Sequence, residues 1–135
     1  MCYNAAMKAA LALLLIASPA IACDWKLERK TDPMTDVVTC WVYSPSAKVS
    51  FYKHGSDPPN VATSSAYRRD GLTIRIDDNP AIRMGEDGYS RPRALAELLP
   101  QLQTGKRIRT QFLDYPASQN GDAAVCNIVE LLNCN

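Results

Sequence analysis

Histidine occurs only once in the 135-residue sequence, at position 54. The common zinc sites, which need two or three imidazoles, cannot be assembled within one such chain. No C-x-x-C pair is present, so a thiol-redox centre lacks its usual motif. There is no glycine-rich phosphate loop and no G-x-S-x-G nucleophile elbow. Nor is there an excess of charge. From Cys23 onward 14 basic residues stand against 14 acidic ones, a formal balance of zero. A nucleic-acid partner calls for a concentrated basic surplus, which this part does not have. Long apolar runs are scarce too: the one stretch, Ala9 to Ala17, has nine residues, whereas a bilayer-spanning helix needs about 20.

That short run has a different reading. Lys8 precedes it, Leu11, Leu13, Leu14, Leu15 and Ile16 fill its centre, Ser18-Pro19 ends it, and Ala20-Ile21-Ala22 offers small residues at a cleavage site. These are the three regions of a secretory signal. Residues 1–22 are therefore expected to be a signal peptide, with Met7 a better opening than the polar MCYNAA ahead of it. A buried N-terminal helix would show a polar face, and this segment shows none. Cleavage after Ala22 leaves Cys23 first. A lipoprotein anchored there is the minority reading, because Ala20 occupies the place where lipid-attachment signals usually carry leucine.

Four cysteines remain beyond the signal, Cys23, Cys40, Cys126 and Cys134, an even set suited to an oxidising compartment. Three pairings are open. Cys23 with Cys40 and Cys126 with Cys134 is the favoured one, since each pair flanks a local strand or hairpin. The expected location is periplasmic or secreted, with no transmembrane span. The 113 residues from Cys23 to Asn135 suit a single domain with a modest core.

Period-two patterning dominates that domain. Trp25 and Leu27 alternate with charged residues in CDWKLERK, a half-buried strand. TDPMTD supplies turn chemistry, and VVTCWVYS, dense in β-branched and aromatic side chains, reads as a more central strand and a hairpin partner. KVSFYKH is a third strand. GSDPPNVATSSAYRRDG, Gly55 to Gly71, is a loop by composition and long enough to be functional. LTIRID places Leu72, Ile74 and Ile76 on one face and Thr73, Arg75 and Asp77 on the other.

RPRALAELLPQLQTG is the one clear helix, with Leu95, Leu98, Leu99 and Leu102 in a stripe, Pro100 expected to kink or shorten it, and Gly105 ending it. KRIRTQFLDY turns Ile108, Thr110 and Phe112 inward and Arg107, Arg109 and Gln111 outward. PASQNGD reads as a turn, and AVCNIVELLNC as a closing apolar strand. About six antiparallel strands with one helix packed on them make a mainly β, sandwich-like α+β domain.

The order LTIRIDDNP, then ALAELLPQLQTGK, then RIRTQFLDYP, behind a tryptophan-bearing first strand and DPMTD, resembles the small secreted bacterial proteins of the invasion-associated locus B type. It is also similar to periplasmic accessory proteins encoded beside type VI secretion systems. The likeness covers the last two thirds of the domain well and the first third loosely. It implies a periplasmic β-sandwich with a binding or assembly role, and it brings no catalytic residue with it.

Three constellations carry possible chemistry. His54, Ser56 and Asp57 are close in sequence, but loop neighbours seldom converge as a nucleophile, base and orienting carboxylate must; a solvated turn histidine is the plain alternative. Asp77-Asp78-Asn79 and Glu86-Asp87 offer oxygens without a calcium-loop spacing, and turn chemistry around Pro80 explains the first set. Arg75, Arg107 and Arg109 share the outward side of strands, where arginine's planar fork suits carboxylates and phosphates. Acids such as Glu28 and Glu97 are the expected neutralisers if those arginines are only surface.

The expectation is a non-enzymatic binding or accessory protein of the bacterial envelope, secretion-associated or an inhibitor or immunity protein. It uses no cofactor and no metal, and its partner is another envelope or secreted protein met by Arg75, Arg107, Arg109 and Tyr67. A small envelope hydrolase using His54 is the alternative.

Overall fold

The structure is a computed structural model and describes residues 23–62, 72–83, 92–113 and 118–134. Residues 1–22, expected from sequence to be a signal peptide, lie outside the described residues. Among the described residues, two antiparallel sheets of four strands each, with two short helices, share one apolar core. The expected mainly β, α+β class is what the chain adopts.

The first sheet is a meander of β1 (Lys26–Thr31), β2 (Val38–Ser44), β3 (Val49–His54) and β4 (Asn60–Ala62), in that order. The β1–β2 hairpin runs from Lys26 opposite Tyr43 to Thr31 opposite Val38. Asp32 shapes its turn by accepting from the Met34 and Thr35 amides, and Asp36 takes a left-handed φ of 57°. Alternation along β2 and β3 sends Cys40, Val42, Val49 and Phe51 into the core, while Trp41, Tyr43 and Tyr52 stay on the outer face. Trp41 stacks on Tyr52, its register partner, with ring centroids 4.8 Å apart, the cross-strand pairing that stabilises antiparallel sheets. β1 differs from the half-buried strand expected. It is an edge strand exposed along its whole length, and Leu27, opposite buried Val42, remains exposed, with no described strand pairing beyond it. The stretch Gly55 to Gly71 also differs, since Asn60–Ala62 pairs with β3 instead of looping free.

The second sheet has the order β6-β5-β7-β8. It comprises β5 (Thr73–Ile76), β6 (Ile82–Arg83), β7 (Arg107–Leu113) and β8 (Ser118–Ala124). Ile74, Ile76, Ile108, Phe112 and Ala123 face inward. β8 corrects the sequence reading of PASQNGD as a turn: Ser118–Ala124 pairs with β7 along its length. Gly121 explains the unusual composition. A Cβ there would collide with the Ala47 carbonyl and the Thr110 hydroxyl, so a small residue is what lets the β2–β3 turn lie against the sheet. Thr110 Oγ1 donates to the Ala47 carbonyl, and the Asp122 amide donates to the Ser46 carbonyl at 3.0 Å. These bonds join the two sheets.

α1 (Pro92–Thr104) lays Leu95, Leu98 and Leu102 into the core. It continues past Pro100 to Thr104, where a kink or early end was expected. Pro100 and Ala96, the residue whose carbonyl loses its amide partner, both lie on the exposed side, so water can satisfy that carbonyl. Gly105 closes the helix against the Ile76 side chain, too tightly for a Cβ. α2 (Ile128–Leu132) replaces the expected closing strand. It buries Ile128 and Leu132, and short apolar runs read equally as strand or helix.

The disulfides are Cys23–Cys126 and Cys40–Cys134, with Cα atoms 6.0 and 6.3 Å apart, inside the usual bridging range. Both local pairings expected from sequence are therefore replaced by long-range ones. α2 packs against β2, which carries Cys134 to Cys40. The segment leading into β1 runs beside the end of β8, which carries Cys23 to Cys126. Among the described residues no helix is long and apolar enough to cross a membrane.

Candidate functional site

The three arginines proposed from sequence come together on the outer face of the second sheet. Strand alternation puts them there. Ile74 and Ile76 in β5, and Ile108 and Thr110 in β7, point inward, so Arg75, Arg107 and Arg109 point outward. Arg75 and Arg109 are direct register partners, two like charges facing each other across adjacent strands. Such an arrangement is ordinarily unfavourable.

The β5–β6 turn holds this pair in place. Arg75 Nε donates to the Asn79 carbonyl at 2.9 Å and its Nη2 to the Asp78 carbonyl at 3.3 Å. Arg109 Nη2 donates to the Asp77 carbonyl at 2.7 Å. Asp77 itself sits at a left-handed φ of 49°, and its carboxylate accepts from the Lys106 and Arg107 amides. The sequence expectation of turn chemistry here takes a longer-range form, since Asp77 fastens the turn to the start of β7. Asp78 carries the only carboxylate close to both guanidinium groups among the described ion pairs, at 4.0 Å from Arg75 and 3.8 Å from Arg109. These separations are too long for hydrogen bonds, and the Asp78 side chain is fully exposed. Arg109 Nε is buried and has no acceptor among the described residues.

Arg107 plays a different part. Its guanidinium makes a two-point pair with Asp122 through Nε and Nη2. That hydrogen bond, with Coulomb attraction behind it, holds the Asp122 carboxyl below its ordinary range and raises Arg107. The neutralising acids are thus Asp122 and Asp78, not Glu28 and Glu97. Asp122 belongs to the strand that the sequence disguised as a turn. Around Arg75 and Arg109 lies a cavity of about 320 Å³, lined also by Thr73, Gln111, Asn120 and Asp122. Thr73 and Gln111 were legible as outward positions by the same alternation; Asn120 and Asp122 were not.

The other candidates fall elsewhere. His54 lies on the outer face of the first sheet and shares a 2.8 Å hydrogen bond with Thr39, its cross-strand partner. The Asp57 amide donates to the His54 carbonyl at 3.0 Å, so HGSD forms a turn. The Asp32 carboxyl is held below its ordinary range first by the Met34 amide, and His54 is the least of its influences. Tyr67 lies outside the described residues, as do Glu86 and Asp87. Among the described residues no three His, Cys, Asp or Glu side chains gather as metal ligands.

No family model matches the chain, and neither the curated proteins nor the solved structures contain a match to it.

Proposed function

We propose that this chain is an exported binding or accessory protein of the bacterial cell envelope that recognises an acidic partner protein through the outer face of its second sheet. The observation that carries the reading is the register pairing of Arg75 with Arg109. A sheet built only for stability gains nothing by opposing two cations. Here the β5–β6 turn fixes both side chains through backbone carbonyls, so less conformational entropy remains to be lost when a partner binds. Each guanidinium has five donors, and the described bonds occupy only some of them. Two long-range disulfides suit an oxidising compartment, and the signal-like segment before Cys23 supports export into the periplasm or beyond.

The test is capture of partner from periplasmic extract with wild-type protein and an Arg75→Glu/Arg109→Glu double variant matched for thermal stability. The expected result is one or more proteins retained by the wild type and lost from the variant, through like-charge repulsion with an acidic surface. Identical retention by both proteins would remove the arginine face from any recognition role.

A further inference from the structure

We infer that Arg75 and Arg109 form a subsite for a single carboxylate side chain of an acidic polypeptide, and that Asp78 is the placeholder this carboxylate displaces. The inference rests on the binding role proposed above and names the chemical group recognised.

Geometry supplies the first argument. Both guanidinium groups lie within 4.0 Å of one Asp78 oxygen, so they converge on a point that an oxyanion already approaches. Asp78 does not complete the interaction. It stands at ion-pair distance without hydrogen bonding and is fully exposed. A carboxylate arriving from outside can reach charge-assisted hydrogen-bond distance, about 2.7–2.9 Å, where such contacts are strongest.

Charge balance supplies the second. Among the described residues, Arg75, Arg83, Arg107 and Arg109 lie on this face, with Asp122 on β8 and the turn acids Asp77 and Asp78 beside them, four cations against three anions and a net of +1. Arg107 is already committed to Asp122. What is left suits one negative charge better than a phosphate dianion or a polyanionic chain. The neutral polar groups of Thr73, Gln111 and Asn120 around the cavity match the amide-rich surroundings of a side-chain carboxylate on a peptide.

The experiment is a ¹⁵N NMR titration of the disulfide-intact protein, reading the Nε–H signals of Arg75 and Arg109 and the amides of Thr73 and Gln111. The probes are an end-blocked hexapeptide with one central Glu, its Gln counterpart, and inorganic phosphate. Saturable shifts at these four positions are expected with the Glu peptide and not with the Gln peptide, and phosphate is expected to bind more weakly. Asp78→Asn, a change at a fully exposed side chain, should tighten the Glu peptide about fivefold, the weight of one unit charge at 4 Å in water. Arg75→Lys, which keeps the charge and loses the planar fork, should weaken it about tenfold.

Equal response to the Glu and Gln peptides, tighter binding of phosphate, or no gain in Asp78→Asn would overturn the inference. Arginine-dependent partner capture without Glu-peptide binding would defeat this subsite alone. Glu-peptide binding without partner capture would defeat the wider role and leave the subsite standing.

Discussion

Trp25 donates its indole N–H to the backbone carbonyl of Ala124 at 2.7 Å, a contact between residues 99 positions apart. It fastens the segment before β1, the edge of the first sheet, to the last residue of β8, the edge of the second. The indole also tilts against Phe51, with ring centroids 5.9 Å apart, and the Cys23–Cys126 disulfide closes the same corner. A tryptophan at this place thus has two duties, apolar packing and one directed bond. Trp25→Phe keeps most of the first and loses the second. It should cost about 0.5–1.5 kcal/mol, the range for one lost intramolecular hydrogen bond. Denaturant unfolding followed by circular dichroism checks this; a loss within experimental error would mean that the bond contributes nothing to stability.

The disulfides can be mapped without a structure. Cleavage after Glu130 separates Cys126 from Cys134, and cleavage after Glu28 separates Cys23 from Cys40. Without reductant, the peptide holding Cys134 should migrate with the one holding Cys40, and Cys126 with Cys23. A Cys126–Cys134 product would instead restore the local pairing. Each bridge spans about a hundred residues, with separations of 103 and 94. On the chain-entropy account, replacing either pair by alanines should lower stability by about 4.7 kcal/mol.

Gly121 is the most sensitive small residue in the sheet interface. Alanine there places a methyl group against the Ala47 carbonyl and the Thr110 hydroxyl, and neither can withdraw without breaking the bond they share. Overpacking of this kind should cost about 2–3 kcal/mol. A Thr110→Val change removes the hydroxyl but not its bulk, so it should fail to rescue Gly121→Ala in a double-mutant cycle of unfolding free energies. Rescue would show that the threonine hydroxyl, and not the backbone of the turn, sets the space available.

What was readable in advance and what was not follows from the range of each interaction. Alternation in LTIRID and KRIRTQF is a local property, and it placed Arg75, Arg107 and Arg109 on one side of their strands correctly. The leucine stripe of α1 is local as well. The strand β8 was hidden because its residues are chosen by the turn they touch 70-odd positions earlier, so that Gly121 and Asn120 look like turn formers. α2 was hidden because a five-residue segment with four apolar side chains around Glu130 carries too little periodicity to tell helix from strand. The cysteine pairing was hidden since proximity in sequence is no guide once α2 brings the chain end to β2. For the arginine site, the cations were legible and their counter-ions were not. Asp78 and Asp122 are identified only by a turn and a strand register.

Two aspartates should separate in how they make stability depend on pH. For Asp24, burial opposes ionisation, but the hydrogen bonds it accepts from the Ser44 hydroxyl at 2.6 Å and the Ser46 amide at 3.0 Å outweigh it and hold the carboxyl below its ordinary value of 3.8. Asp122 is held low first by its hydrogen bond from Arg107. A carboxyl lowered on folding contributes stability that is fully present above its unfolded value and lost as pH falls through the folded one. Both contributions should therefore hold from neutral pH to about 5 and fade below about pH 4. Salt tells them apart. The Asp122 contribution depends on an exposed ion pair and should shrink in 1 M NaCl, where the screening length is about 3 Å. The donors to Asp24 are neutral, so its contribution should persist. Unfolding midpoints for wild type, Asp24→Asn and Asp122→Asn, taken from pH 2.5 to 7 at low and high salt, provide the comparison. The gap between wild type and Asp24→Asn should close only on acidification, whereas salt alone should narrow the gap for Asp122→Asn. An Asp24 gap that vanished in salt at pH 7 would show that a charged partner, and not Ser44 and Ser46, keeps that carboxyl ionised.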